Sequence, residues 1–319
     1  MNKPQKILLQ QVALSLCDLE EGPGSDSYNH LEELEVLEEI SNSKFPVLLA
    51  FSPHHDRHFA MKVFHYNGEH INDSYLNECR FLALKHPHII SMIDAVDKRK
   101  AYCGGETFCI SYILLELGFC DFDVLLGVID FTNDEKLVRT FFRQLVDGLE
   151  YLHSQGIFHL DLKTQNMILG EDYCIRIIDF GGSCTAGDQK LICFGTPNFK
   201  KNCMDPAKAD IYSLGIILFA LTTGFLPYLE GQAIKDYKLQ ELLLNDPNEF
   251  WAAHEEIEVA HSKLNPDFKS LFISLTRPIP KARLDLNQIK KSKWFQGPIY
   301  NKQQLKPLLE NRVKNFISS

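Results

Sequence analysis

The sequence predicts an α+β protein in which a small strand-rich lobe is followed by a larger helical lobe. Three stretches up to about residue 117 have the apolar and β-branched character of strands: FPVLLAF at 45–51, HFAMKVF at 58–64 and FCISYILLEL at 108–117. Beyond residue 118, apolar residues recur at helical spacing, and the almost continuous apolar run ADIYSLGIILFALTTG predicts a buried helix. Strands and helices that are segregated along the chain are typical of the α+β class.

In the strand-rich part, the polar stretch PHHDR separates the first two strands and predicts a hairpin turn. It carries His54 and His55, with His58 just beyond, and three histidines can bind a metal. A solvated turn is the favoured interpretation, because no cysteine is near and the spacing is not that of a helix. One helix is expected at residues 72–85, between the second and third strands.

The helical part begins with a long amphipathic helix. A capping box is expected at its start, with Thr132 as the cap and Glu135 three residues later. The next helix is predicted to end at Gly224, because glycine readily adopts the left-handed conformation of a helix C-terminus. The apolar face of the first helix is formed by Leu137, Val138, Phe141, Phe142, Leu145, Val146, Leu149 and Leu152.

The composition argues against several classes of protein. A formal net charge of −9 over 319 residues disfavours a nucleic-acid-binding protein, which needs a basic surface against phosphates. No apolar run approaches the length of a membrane span, so no membrane association is expected. The nine cysteines are odd in number and form no C-x-x-C pair, which predicts reduced thiols in a cytoplasmic protein.

Two short motifs lie in the helical part: HLDLKTQN begins at His159, and IIDFGG begins at Ile177 after the strand pattern CIRIID. With these motifs in this order, the sequence resembles the eukaryotic-type protein kinases, and the resemblance extends from about residue 34 to 296. It implies a bilobal protein-kinase-like fold. It also implies Mg²⁺-dependent transfer of the γ-phosphate of ATP to serine or threonine hydroxyls of a protein or peptide substrate.

The resemblance sets the expected domain boundaries. In order, these are an N-terminal extension and linker at 1–30, a kinase domain at 31–296 with lobes at about 31–117 and 118–296, and a C-terminal tail at 297–319. A short amphipathic helix interrupted by Pro307 is expected in the tail. The general style of the sequence resembles the calcium/calmodulin-dependent group, and whether calmodulin or another protein regulates this chain is left open.

By resemblance, the catalytic loop and the motif that follows it would supply the groups that act on phosphate. Asp161 would accept or orient the proton of the substrate hydroxyl, and Lys163 would neutralise the γ-phosphate. Asn166 and Asp179 would hold Mg²⁺. Thr196 would hydrogen-bond Asp161 and Lys163, and this arrangement favours serine or threonine over tyrosine as the acceptor.

The resemblance also assigns residues to the nucleotide. Lys62 would hold the α- and β-phosphates, with Glu78, sixteen residues later, as its partner. Asp210 resembles the aspartate that braces the catalytic loop, and Arg283 resembles the late arginine of the family. The adenine base would be bound by Val47, Ala60, Glu116, Leu117 and Ile168.

The sequence departs from the family pattern at three places. The phosphate-binding loop before Val47 reads EISNSKFPV and has no glycine, although glycines let backbone amides approach phosphates closely. Leu160 replaces the arginine with which active relatives often grip a phosphate on the activation loop. The A-P-E motif is missing and Cys203 stands where its glutamate would fall, so Arg283 is expected to need another acid or solvent as a partner.

Three classes of function remain. An active kinase is favoured because the polar residues that would touch metal, phosphate or hydroxyl are all present: Lys62, Glu78, Asp161, Lys163, Asn166 and Asp179. The alternative is a catalytically impaired pseudokinase that acts as a binding or scaffolding module, which the missing glycines and A-P-E motif support. A small-molecule kinase is the third class, and it is disfavoured because such enzymes usually lack the Asp-Leu-Lys and G-T-P-N elements.

Overall fold

The structure is a computed structural model. It describes residues 34–41, 45–65, 72–103, 106–188, 205–227, 245–255 and 264–317. The chain divides into two compact units: the strand-rich unit runs to Lys85 and includes Ile90–Leu117, and the helical unit consists of His86–Ile89 and the chain from Gly118 onward. The α+β class predicted from the sequence is confirmed.

One antiparallel sheet of five strands forms most of the strand-rich unit. Its strands are β1 (Glu35–Ser41), β2 (Val47–Ser52), β3 (Arg57–His65), β4 (Met92–Cys103) and β5 (Glu106–Leu115), in the order β1-β2-β3-β5-β4. The predicted hairpin is confirmed, since β2 pairs with β3 across the turn at 53–56. In that turn His55 Nδ1 lies 3.0 Å from Ser52 Oγ, and the imidazoles are exposed.

The two faces of β3 have different neighbours, because side chains alternate along a strand. Phe59, Met61 and Val63 join an apolar cluster with side chains of β1, β2 and β5. On the alternate positions Phe64 meets Tyr75 of the following helix, with ring centroids 5.4 Å apart. All residues from Phe59 to Phe64 are buried, so any polar side chain on this strand needs a partner inside the unit.

That helix, α1 (Asp73–Cys79), is shorter than the predicted helix at 72–85. Asn72 caps it by accepting a hydrogen bond from Ser74 N. After Cys79 the chain tightens, since the amides of Phe81, Leu82 and Leu84 donate to the carbonyl three residues earlier. The predicted helical periodicity therefore continues in turns of the 3₁₀ type, which commonly end α-helices.

The helical unit contains seven helices and five short strands among its described residues. The helices are α2 (Phe122–Val128), α3 (Glu135–Ser154), α4 (Pro206–Thr223), α5 (Pro247–Glu255), α6 (Pro266–Leu275), α7 (Leu286–Lys291) and α8 (Lys302–Ile317). The strands β6 (Gly118–Asp121), β8 (Met167–Gly170) and β9 (Ile175–Ile177) form one small sheet, and β7 (Ile157–Phe158) pairs with β10 (Cys184–Thr185).

The long helix α3 buries all eight apolar residues predicted for its inner face. The capping-box prediction is wrong, because the N-cap is Asp134, whose carboxylate accepts from Leu137 N. Thr132 is engaged elsewhere, since its amide and its hydroxyl both donate to Asp130. Threonine and aspartate are both good cap residues, so residue type alone does not decide whether Thr132 or Asp134 caps the helix.

Helix α4 is buried on nearly every side, as the continuous apolar run predicts. Asp205 caps its start, Pro206 occupies the first turn, and Gly224 ends it in the left-handed conformation with φ of 81°. The predicted end at Gly224 is confirmed. The helix packs closely against the end of α6, because a Cβ atom added to Gly215 would lie 2.7 Å from Thr276 Cγ2.

The last helix, α8, packs against the helical unit through Leu305 and Leu309, which are both buried. It contacts α2. The predicted interruption at Pro307 is wrong, since the helix continues through this residue. The segment before α8 is attached to α3, because Arg139 Nε donates to Trp294 O at 2.6 Å and Tyr300 N donates to Thr140 Oγ1 at 2.9 Å.

None of the helices in the described ranges combines the length and the apolar composition that a membrane span requires. The cysteines whose side chains are described are free thiols: Cys79, Cys109, Cys120, Cys174 and Cys184. Burial raises the pKa of Cys120 to about 11, with the nearby charge of Asp121 acting in the same direction. Cys120 is therefore protonated and unreactive at neutral pH.

Two glycine-to-alanine substitutions test the packing of α4. We expect Gly215→Ala to lower the free energy of unfolding by about 1–3 kcal/mol, because the added methyl group overpacks the contact with Thr276. Gly127→Ala, in the exposed part of α2 with no atom within 4 Å of the added Cβ, is the matched control. It should raise stability by up to about 1 kcal/mol. Urea unfolding measures both, and an unchanged midpoint for Gly215→Ala would contradict this packing.

Candidate active site

In the strand-rich unit, Lys62 and Glu78 form a buried ion pair. Lys62 Nζ donates to Glu78 Oε2 at 2.6 Å, and the two residues are 5% and 1% exposed. Lys62 lies on the face of β3 that meets α1, and Glu78 lies in the last turn of α1. The partnership predicted from the spacing of sixteen residues is present in the structure.

Two aromatic rings enclose the ammonium group of Lys62. Its Nζ lies 5.8 Å from the ring centroid of Phe45 and 5.4 Å from that of Phe64. The two rings are themselves in contact, with centroids 4.7 Å apart. The sequence pattern did not predict this arrangement, although Phe64 stands at i+2 from Lys62 and so shares its face of the strand. The rings restrict the position of the ammonium group and do not themselves neutralise its positive charge.

The other predicted residues of this unit lie on its sheet. Val47 is the partner of Lys62 across β2 and β3, and Ala60 is the partner of Leu115 across β3 and β5. Glu116 follows β5, and its carboxylate accepts from Ser91 N at 2.8 Å while its own amide donates to Ser91 O at 3.0 Å. This double contact fixes the chain at the point where Leu117 ends the unit.

In the helical unit, three predicted residues converge in the loop after β7. Lys163 Nζ donates to Asp161 Oδ2 at 2.8 Å. Asn166 Nδ2 donates to the same oxygen at 2.9 Å and to Asp161 O at 2.8 Å. The Asp161 side chain is 30% exposed, so its carboxylate is both oriented by two donors and accessible from outside.

The loop takes its shape from Asp210, a fully buried residue in the first turns of α4. Asp210 Oδ1 accepts from Leu160 N at 2.8 Å, and Oδ2 accepts from His159 N at 3.0 Å. His153 Nε2 on α3 lies 2.8 Å from the same Oδ2. Leu160 has φ of 63°, a conformation that residues other than glycine rarely adopt. The brace predicted for Asp210 is therefore present.

Asp179 also lies in the left-handed region, with φ of 63°. Its Oδ1 accepts from Gly181 N at 3.2 Å. The next residue, Phe180, is fully buried and its ring centroid lies 5.3 Å from that of His159, whose Nε2 donates to Ile178 O at 2.9 Å. These contacts attach the Asp-Phe-Gly segment to the catalytic loop. Ile168 lies between the two segments on β8, paired with Asp121 and Arg176.

The predicted metal ligands have suitable chemistry for Mg²⁺. Because Asn166 Nδ2 points to Asp161, the carbonyl oxygen of this amide points the other way and is the atom available to a metal. Asp179 offers a second hard oxygen ligand, as Mg²⁺ prefers. No group of three His, Cys, Asp or Glu side chains converges within the described ranges. Two protein ligands suit Mg²⁺, which is usually held by one or two side chains together with water and substrate phosphates.

Another acid or solvent was expected to pair with Arg283, but in the structure its guanidinium is bound by main-chain carbonyl groups. Its guanidinium donates to the carbonyls of Lys208 and Arg277, both at 2.7 Å, and lies 4.8 Å above the ring of Tyr212. Burial lowers the pKa of Arg283, while the nearby charge of Asp205 opposes the shift. Main-chain oxygens are thus its direct partners in the described part of the chain.

Several predicted features fall outside the described residues. These are Thr196 and the Gly-Thr-Pro-Asn element, Cys203 in the segment without A-P-E, and the centre of the glycine-free loop at 42–44.

Another contact of the site was not predicted. Gln165 Nε2 donates to the carboxylate of Asp123 on α2, which joins the catalytic loop to the helix that α8 contacts.

Comparison with known proteins shows the family to which this sequence is similar. Residues 42–295 match the sequence profile of the family described as Protein kinase domain. The chain is 30% identical to CBL-interacting serine/threonine-protein kinase 20 of Arabidopsis thaliana over 250 residues, which are 74% of this chain and 51% of the relative. It is 29% identical to CBL-interacting protein kinase 26 of Oryza sativa subsp. japonica over 233 residues, which are 67% of this chain and 41% of the relative. The chain spans about half the length of the curated relatives it matches.

The buried ion pair can be tested by stability. We expect Glu78→Gln to lower the free energy of unfolding by about 3–5 kcal/mol, because it leaves the ammonium of Lys62 buried without a counter-charge. The double variant Lys62→Met/Glu78→Leu should be closer to the wild type, since it removes both charges and keeps apolar volume. Glu38→Gln, at an exposed glutamate of β1, is the control. Equal losses for the single and double variants in urea unfolding would show that packing, not charge, dominates.

Proposed function

Because the chain belongs to the protein kinase family, as the match over residues 42–295 shows, we propose that it transfers the γ-phosphate of ATP to serine or threonine hydroxyls of a protein substrate. One observation carries this proposal: Asp161 is oriented by Lys163 and Asn166 on a loop fixed by Asp210, and it is accessible to a substrate. Of the two relatives named above, the one from Arabidopsis thaliana is a serine/threonine-protein kinase by name, and the one from Oryza sativa is a protein kinase by name.

The proposed chemistry follows from the contacts of this loop. The hydroxyl oxygen of the substrate forms a bond to the γ-phosphorus while the bond from that phosphorus to the β–γ bridging oxygen breaks, and ADP leaves. Asp161 orients the hydroxyl and receives its proton. Lys163, 2.8 Å from Asp161 Oδ2, places a positive charge beside the transferred group. Orientation and charge supply most of the catalysis in phosphoryl transfer.

Binding roles are proposed for the remaining residues. Lys62, held by Glu78, would contact the α- and β-phosphates, and the oxygens of Asn166 and Asp179 would hold Mg²⁺. The bound metal would neutralise charge on the phosphates. Thr196 keeps its proposed contact to Asp161 and Lys163. The predictions for the adenine base also stand as made: Val47, Ala60, Glu116, Leu117 and Ile168.

Regulators and location belong to the proposal as well. The names of the relatives describe them as CBL-interacting, so a CBL protein is a better candidate regulator than calmodulin. Free thiols among the described residues support a reducing, cytoplasmic location. The pseudokinase alternative is weaker, because the Lys62–Glu78 pair and the Asp161 cluster keep their geometry.

A pair of aspartate variants tests the proposed chemistry. We expect Asp161→Asn to lower the turnover rate by a factor of about 10²–10⁴, because the side chain can no longer accept the proton. Asp147→Asn, at an exposed aspartate of the same unit, should leave the rate unchanged. The measurement is incorporation of label from γ-labelled ATP with Mg²⁺ into the chain itself and a generic protein substrate.

The result separates the three classes of function. Incorporation that is lost in Asp161→Asn and kept in Asp147→Asn supports the protein kinase. No incorporation by a folded wild-type sample at high ATP concentration would favour the pseudokinase. A labelled metabolite in place of a labelled protein would indicate a small-molecule kinase.

We also propose that activity does not require phosphorylation of the activation segment. Leu160 keeps the backbone contact to Asp210 but has an aliphatic side chain that cannot bind a phosphate. Cys184, the partner of Phe158 across β10 and β7, is another neutral residue beside the loop. Ser183 is buried and its hydroxyl donates to His159 O at 3.3 Å, which makes it a poor acceptor for a phosphate.

This independence predicts an unchanged rate for Thr185→Ala and for wild-type protein treated with a phosphatase, compared with untreated protein. The residue Thr185 is the informative position, because Ser183→Ala would also remove a buried hydrogen bond. Rates are measured with the labelled-ATP assay, and mass spectrometry establishes the phosphorylation state of each sample. A large loss of activity after dephosphorylation that Thr185→Ala reproduces would contradict the proposal.

A further inference from the structure

Lys208 and Arg283 hold each other through main-chain oxygens. Lys208 Nζ donates to Arg283 O at 2.8 Å and to Leu284 O at 3.1 Å. In return Arg283 Nη1 donates to Lys208 O at 2.7 Å. Each side chain thus grips the backbone of the other residue, and we call this reciprocal pair the Lys208–Arg283 clamp.

Both members of the clamp are cations, and main-chain carbonyl groups accept hydrogen bonds from each of them. Carbonyl oxygens accept from charged donors, and such hydrogen bonds are stronger than those between neutral groups. Arg283 makes three further contacts, to Arg277 O, to Pro278 O and to the ring of Tyr212. Asp205, the N-cap of α4, accepts from Lys208 N and adds a negative charge nearby.

The position of the clamp connects it with the catalytic loop. Lys208 lies in the first turn of α4, and Asp210 follows two residues later. The two oxygens of Asp210 accept from the amides of His159 and Leu160, which immediately precede Asp161. Leu160 is held in a left-handed conformation that it would rarely adopt alone. A small displacement of the first turn of α4 therefore acts on the loop that carries Asp161.

We propose that Lys208 is a positioning residue for phosphoryl transfer. Through the Lys208–Arg283 clamp it fixes the first turn of α4 against the segment 277–284, and so keeps Asp210 beneath the catalytic loop. The clamp takes the place of the acidic partner that the missing A-P-E motif would supply to Arg283. The effect on kcat rests on the proposed kinase activity. The effect on hydrogen exchange of the loop amides rests on the structure alone.

Three variants test the clamp. Lys208→Met keeps the aliphatic stem and removes the donor, and Lys208→Arg keeps a charged donor. Lys291→Met, at an exposed lysine in the last turn of α7, is the control for loss of a surface charge. Two experiments are done on each folded variant below its melting temperature. Steady-state kinetics give kcat and KM for ATP, and hydrogen exchange gives the exchange rates of the backbone amides of His159 and Leu160.

We expect Lys208→Met to lower kcat about tenfold. A hydrogen bond from a charged donor contributes a free energy that corresponds to roughly this change in rate. KM for ATP should stay unchanged, because the nucleotide-binding residues are not displaced. The amides of His159 and Leu160 should exchange faster, as their bonds to Asp210 loosen. Lys208→Arg should restore kcat and the exchange rates of the two amides, and Lys291→Met should leave both unchanged.

Other outcomes overturn the inference. A lower melting temperature with unchanged kcat and unchanged exchange would reduce Lys208 to a structural role. A lower kcat without faster exchange would mean that the clamp does not act through Asp210. A wild type that transfers no phosphate would defeat the proposed function, and the exchange of His159 and Leu160 would still decide whether the clamp holds the loop.

Discussion

The carboxylate of Asp210 is fully buried, and the conformation of the catalytic loop depends on how that charge is satisfied. A buried carboxylate is costly unless hydrogen bonds compensate for its lost hydration. Here the amides of His159 and Leu160 and the imidazole of His153 supply these bonds. Because two of the donors are consecutive main-chain amides, the charge can be satisfied only if the backbone turns at Leu160. The turn presents the next residue, Asp161, to the outside.

The elements around Asp210 keep it in place. Helix α4 is apolar on nearly every side, so it is held by packing around its whole circumference. Helix α3 contributes His153 from its last turn, and β7 leads directly into His159. The donor and acceptor groups therefore come from elements that a hydrophobic core has already fixed, which is how a strained left-handed residue persists.

The sequence predicted those features that depend on local pattern and failed where tertiary contacts decide. The inner face of α3 followed from helical spacing, and Asp161 and Asn166 lie close enough in sequence for a motif to show both. Thr132 was the wrong cap because Asp130 binds its amide, a contact that composition does not reveal. The rings of Phe45 and Phe64 around Lys62 were missed because one of them reaches Lys62 only through the pairing of β2 with β3.

Two of the departures from the family pattern have the same physical basis. The backbone amide of Leu160 makes the contact that fixes the loop, and every residue except proline has such an amide. Leucine in place of the family's arginine therefore leaves the turn intact. Arg283 is likewise satisfied by main-chain carbonyls, which do not depend on the identity of the residues that carry them. The fold tolerates both changes because the backbone provides the essential contacts.

Stability does not explain the exposed ion pair of Asp161 and Lys163. Asp161 and Lys163 are 30% and 47% exposed at their side chains, and ion pairs in contact with solvent contribute little to the free energy of unfolding. Asn166 is buried beside this pair, and its Nδ2 donates to both the main-chain oxygen and the carboxylate of Asp161. An arrangement that orients a carboxylate, keeps an ammonium beside it and leaves both open to solvent is the one that phosphoryl transfer requires.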